Sequence, residues 1–301
     1  MPTSLTTDVL RDRARALARA IEPVVGQVFF APECHERYAR LGFNPSPGAS
    51  SAGVAFPDGP AYFTSRGSAL GRAPGELVAA AFGVFNAEMV VPAVAYGWSL
   101  TDSTTIAEER LLGAVEQLTR LLGEHPDGVE RANELLARAI APLEPWGRAL
   151  FAGTLSQPLP GTPLGDLFRL GDRLREFRGD SHIAAWVSAG FDATEIGLLT
   201  EPYWGIPSRT YVRTRGWNDQ QLDAAAERLA AAGLLEDGQL TEAGRAQREA
   251  IELATDAQMA PAIDALADDF DELVALLTPW AHQVMKGAGY PQSPLAITPH
   301  Q

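Results

Sequence analysis

Residues 217–245 read WNDQQLDAAAERLAAAGLLEDGQLTEAGR. Over 218–234 the apolar positions Leu222, Ala226, Leu229 and Gly233 fall on one side of a helix, the side that faces a core. LLEDGQL then sets two short apolar runs around an Asp-Gly turn, which is a hairpin signal. From Thr241 a second helical pattern begins and carries the chain toward Pro279, with a break near Pro261. Elsewhere apolar residues recur at helical spacing almost throughout. The expected fold is therefore mainly α, with one small β-hairpin.

Helix, two-stranded wing and helix is the layout of winged-helix DNA readers, in which a recognition helix precedes the wing. Reading bases requires donors for base edges and cations for phosphates. The exposed flank of this helix instead carries Asp219, Asp223 and Glu227 at four-residue spacing, with Gln220, Gln221 and a single cation, Arg228. The wing adds Glu236 and Asp237. From Asp219 to Asp256 nine acids face three arginines. The connection from Ile206 to Trp217 also exceeds the tight turn of a helix-turn-helix, which is about 3–4 residues. The scaffold fits a winged helix, and the surface argues against specific DNA binding.

The whole chain agrees with that balance. It has 301 residues, a formal charge of −14, 46% hydrophobic and 21% charged residues, the composition of a globular protein with a sizeable core. A strongly negative body repels nucleic acid unless a local basic patch intervenes. One cysteine, Cys34, excludes an internal disulfide and a cysteine-built zinc site. The N-terminus is charged and amphipathic and lacks a signal-peptide core, so cytoplasmic location is the default expectation.

Helices are expected at 6–25, from Pro32 to Gly42, and at about 103–123, 126–141 and 143–153. Residues 42–75 carry seven Gly and five Pro, which reads as a long loop able to cover a site. Residues 77–98 approach the length of a membrane span, but Asn86, Glu88 and Pro92 interrupt them, so a kinked or paired helix in a core is expected and no membrane association. SQPLPGTPLGD (156–166) reads as a domain boundary. The expected organisation is a helical domain over 1–155, a winged-helix-like domain over 163–285 and a tail over 286–301.

Chemistry is thinly marked. No GxGxxG, P-loop, GxSxG, HExxH or CxxCH sequence appears, and neither metal nor cofactor is expected. The informative cluster is arginine with aromatics, above all YWGIPSRTYVRTRGW (203–217). Its Arg209, Arg213 and Arg215 stand beside Tyr203, Trp204, Tyr211 and Trp217. Guanidinium forks suit carboxylates or phosphates, and rings cover planar apolar bodies. The opposing reading pairs these arginines with surface acids and uses the rings as filling. Tyr62, Arg66, Phe82, Phe85 and Asn86 supply apolar walls with a few polar groups, the make-up of a small-molecule pocket or of an ordinary core. His182, read as opening a helix capped by Asp180, is the one acid–base candidate. Its alternative is a histidine that pins the arginine segment.

FFAPECHERYARLGF, YFTSRGSALGRAPGELVAAAFGVFN, FRGDSHIAAWVSAGF and RTRGW resemble an actinobacterial two-domain helical family described as helix-turn-helix domain proteins. The resemblance spans about residues 22–260 and implies a degenerate winged helix in the C-terminal half. It brings no family activity or catalytic residues. The functional expectation is a protein that binds an anionic aromatic or polyketide-like metabolite, or a metal-independent biosynthetic enzyme acting on one, on a scaffold that has lost DNA binding. The alternatives are a ligand-responsive winged-helix regulator, as a homodimer, and a protein-interaction module using the acidic stretch 264–272.

Overall fold

The computed structural model describes residues 6–293. Residues 294–301 of the expected 286–301 tail lie outside the described residues. Nearly all of the regular structure among the described residues is helix. Its first half comprises α1 (Thr7–Gly26), α2 (Pro32–Arg40), α3 (Gly59–Gly67), α4 (Gly75–Phe82), α5 (Ala87–Leu100), α6 (Ser103–Leu122), α7 (Val129–Ile140) and α8 (Ala149–Leu155). Then follow α9 (Pro163–Ser188), α10 (Ala193–Tyr203), α11 (Asp219–Ala231), strands β1 (Leu235–Glu236) and β2 (Gln239–Leu240), α12 (Glu242–Gln258), α13 (Ala260–Leu266) and α14 (Phe270–Lys286). None of the described helices is long and apolar enough to cross a membrane.

The expected hairpin is present. β1 and β2 pair antiparallel with Leu235 opposite Leu240, around Asp237 and Gly238 at positive φ. Positive φ at both central residues matches the twist of a tight hairpin, which is why an Asp-Gly pair serves there. The expected break after α12 occurs at Met259, with Pro261 in the first turn of α13, and a second break follows at Ala267–Asp269.

Helix α9 is the axis of the molecule: α1, α6, α7, α8 and α12 all pack on it. Its interior glycines, Gly171 and Gly179, each cost helix stability of about 1 kcal/mol relative to alanine. Packing on all sides outweighs that cost, so the helix runs unbroken through the RGD sequence where a new start was expected. The main core joins residues of α1–α9 to Met259, Ile263, Phe270, Leu273, Leu277 and Val284. The helices after the wing thus return to the first half of the chain, and the sequence boundary at 156–166 does not coincide with a break in packing. That stretch links α8 and α9, which lie against each other. A separate small core of Leu198, Leu199, Val212, Leu222, Ala225, Leu229 and Leu235 holds the winged unit together.

The 42–75 stretch departs from expectation. Asp58 accepts from Ala61 N at 3.1 Å and caps α3, with Pro60 in its first turn, so residues 59–67 are helix. Residues 46–56 form a hydrogen-bonded hairpin-like loop, with Phe56 N to Gly48 O and Ser50 N to Val54 O both at 2.8 Å. Phe43, Val54, Ala61 and Phe63 are buried. Helical structure thus begins at Gly59, while 43–58 is loop, largely exposed over 44–53. The 77–98 stretch is a helix pair, α4 and α5, broken at Gly83 (φ 71°).

Candidate functional site

The winged unit meets the helical body along a seam. Asn86 caps α5, its Oδ1 accepting from Glu88 N at 3.0 Å. Its Nδ2 donates to Gly216 O at 3.0 Å and to Gln221 Oε1 of α11 at 3.4 Å, and its backbone N–H donates to Arg215 O at 2.9 Å. Trp217 Nε1 donates to Val84 O at 3.0 Å. A buried amide must find partners; this one caps α5 with its oxygen and fastens it to Gly216 and Gln221 with its N–H donors.

Arg215 sits at the centre of the seam. Its guanidinium lies 4.6 Å from the Phe85 ring centroid and 4.2 Å from that of Tyr211, and it donates to the Tyr211 hydroxyl. Its Nε is buried without a partner, and no carboxylate among the described residues pairs with it. Phe85 continues into a ring cluster with Tyr62, Phe63 and Phe82 at centroid separations of 5.1–6.2 Å. Arg66 covers Phe82 at 4.4 Å and forks onto Glu176 of α9 at 2.9 and 2.7 Å. Arg175 contacts Glu176 at 3.1 Å and forks onto Glu22, which also accepts from the Tyr290 hydroxyl at 3.0 Å. Burial pushes the Glu176 carboxyl up, but Arg66 and Arg175 override it and hold the group down at about 2.

Of the residues expected to bind ligand, Tyr62, Arg66, Phe82, Phe85, Asn86, Arg215 and Trp217 come together here. Trp204 is exposed and reaches the seam only through Tyr211, ring edge to ring at 5.2 Å. Tyr203 turns away to Glu249, and Arg213 turns outward to Asp219.

The expected acid–base pair is placed differently. Asp180 and His182 lie within α9, so neither starts a helix. Asp180 instead caps α8 from the side, its Oδ2 accepting from Phe151 N at 3.0 Å. Burial raises its pKa to about 6. His182 Nδ1 faces Thr255 Oγ1 at 3.0 Å on the α12 side, and burial lowers its pKa to about 4 against the pull of Glu252. It does not converge with Arg213 and Arg215. Cys34 is buried, with its thiol pushed up to about 12 by desolvation, the state of an inert core cysteine.

Sequence reasoning did not single out Glu176, Arg175 or Tyr290. One signal was present for the first: Asp172, Glu176 and Asp180 repeat every four residues and are all buried on α9. A carboxylate row on a core-facing helix requires cations from elsewhere in the chain.

The would-be DNA face is fully described as well. Arg209 pairs with Asp223 at 2.7 Å, Arg213 with Asp219, and Arg228 with Asp192 and Glu195 at 2.5 and 2.7 Å. Glu227, Glu236 and Asp237 are exposed, and Arg245 is the one exposed cation of this unit outside an ion pair. Helices α10 and α11 are separated by residues 204–218, anchored by the buried Glu201, which accepts from Arg209 N at 2.5 Å and Val212 N at 2.8 Å.

A family model described as a helix-turn-helix family matches residues 14–291. No curated protein and no solved structure matches the chain.

Proposed function

The chain belongs to this helix-turn-helix family, and on that scaffold we propose a protein that binds an anionic, ring-bearing small molecule at the seam instead of reading duplex DNA. The observation that carries the reading is Arg215. It is a cation stacked between two rings, with a buried Nε lacking a partner and no carboxylate paired to it. A guanidinium in that setting recognises a carboxylate or phosphate, and the flanking rings suit a planar body beside it. On the face where a recognition helix would meet DNA, three of the four arginines are already neutralised by neighbouring carboxylates. Arg245 is the fourth, and Arg215 at the seam is likewise left without a carboxylate. His182 and Asp180 both serve other contacts, so the reading is of binding, without a catalytic step.

Native mass spectrometry of the purified protein should reveal a co-purifying anionic compound, released by Arg215→Gln with the melting temperature little changed. Truncating one side of a charge pair in a partly dry site costs about 2–5 kcal/mol of affinity. Retention of the compound by Arg215→Gln rejects the site. A sharp, competitor-resistant mobility shift with the protein's own promoter DNA at low salt rejects the loss of DNA reading and makes a ligand-responsive regulator the better account.

A further inference from the structure

Arginines also surround a small polar cavity between α3, α6, α8 and α9, which shares Arg66 and Glu176 with the seam. The cavity measures about 10 Å³, and Arg66, Arg110, Gln157, Arg169, Asp172 and Glu176 line it. That volume admits one water-sized body.

The charges around it do not balance. Arg110 forks onto Asp172 at 2.8 and 3.1 Å, and Arg66 forks onto Glu176 at 2.9 and 2.7 Å. Both carboxylates are thereby matched. Arg169 remains. It is 5% exposed, has no carboxylate partner among the described residues, and donates only to the Gln157 side chain. The Nε atoms of Arg169 and Arg110 are both buried and without a partner. The wall thus carries one positive charge over and two N–H donors with nothing to accept them. Burial and the neighbouring Arg110 lower the Arg169 pKa to about 10, so it keeps its proton at neutral pH.

A buried cation with no counter-charge is strongly unfavourable, more so than a missing hydrogen bond. Water could accept from both N–H groups but would leave the charge unanswered. A polyatomic anion such as phosphate exceeds the space. We propose that this cavity is a binding site for one monovalent, monoatomic anion of chloride size, held by the Nε–H groups of Arg110 and Arg169.

The test compares melting of the full-length protein in chloride and in methanesulfonate at equal ionic strength. Raising chloride to about 0.2 M should lift the wild-type midpoint by a few degrees, because an anion bound only by the folded state stabilises it by mass action. Arg169→Met, close in volume and uncharged, should lose this response. In chloride-free buffer it should melt no lower than wild type. Crystals grown with bromide should show anomalous density between Arg110 and Arg169, a readout that does not depend on the variant folding. Equal melting of the wild type in the two salts, a chloride response retained by Arg169→Met, or density of water alone in the bromide crystals would each overturn the proposal.

Discussion

Glu176→Gln removes one charge and almost no volume from the most buried ion cluster of the seam. Glu176 is 2% exposed and holds Arg66 through two bonds of 2.9 and 2.7 Å, with Arg175 at 3.1 Å. Its carboxyl, held at about 2 against an ordinary 4.5, contributes about 3 kcal/mol at neutral pH, since each pKa unit is worth about 1.4 kcal/mol. The sign follows from a depressed folded value. That stability is complete above about 4.5 and disappears as pH falls through about 2. The variant should lose more than this at pH 7. Arg175 keeps Glu22, but Arg66 is left as an unpaired buried cation, and breaking one side of such a pair costs about 3–5 kcal/mol. Urea unfolding at pH 7 measures the loss. Adding Arg66→Met to Glu176→Gln should return most of it, because the orphaned charge is then gone. A single-variant loss below about 1 kcal/mol, the size for an exposed pair, would refute the reasoning, as would a double variant no more stable than Glu176→Gln.

Three further outcomes are expected. Gly97→Ala places a Cβ 1.9 Å from Thr64 Oγ1 where α3 crosses α5, and scanning calorimetry should show a loss of at least about 1–3 kcal/mol from overpacking. Asp180 has a folded pKa raised to about 6 from 3.8, so its contribution is present below about 4 and is lost as pH rises through 6. Asp180→Asn keeps an acceptor for Phe151 N and should flatten that part of the melting-versus-pH curve. Asp180→Ala loses the cap and should cost about 1 kcal/mol. Cys34, fully buried with a thiol near 12, should resist a disulfide reagent in the native protein and react at once in urea, which absorbance at the released chromophore records.

Local order was legible in the residues. Asp237-Gly238 fixed the hairpin, the 3.6-residue period marked α1, α6 and α11, and Pro261 marked the break after α12. These features are set by side chains within about four residues of one another, the span of a helical turn or a tight hairpin. The helix α3 was legible too in Asp58 and Pro60, but the glycine and proline content of 42–75 masked that signal. The arginine and aromatic residues of the seam could be named as types, since their chemistry does not depend on the fold. Their pairing could not. Arg66 meets Glu176 across 110 residues, and Asn86 meets Gly216 across 130. The sequence marks each of these groups as needing a partner without specifying which. The continuity of α9 through Gly179, the return of α13 and α14 to the first core, and the diversion of Asp180 to cap α8 were settled by packing. A helix surrounded by five others gains more from burial than a glycine costs it, and that gain exists only once the chain has folded.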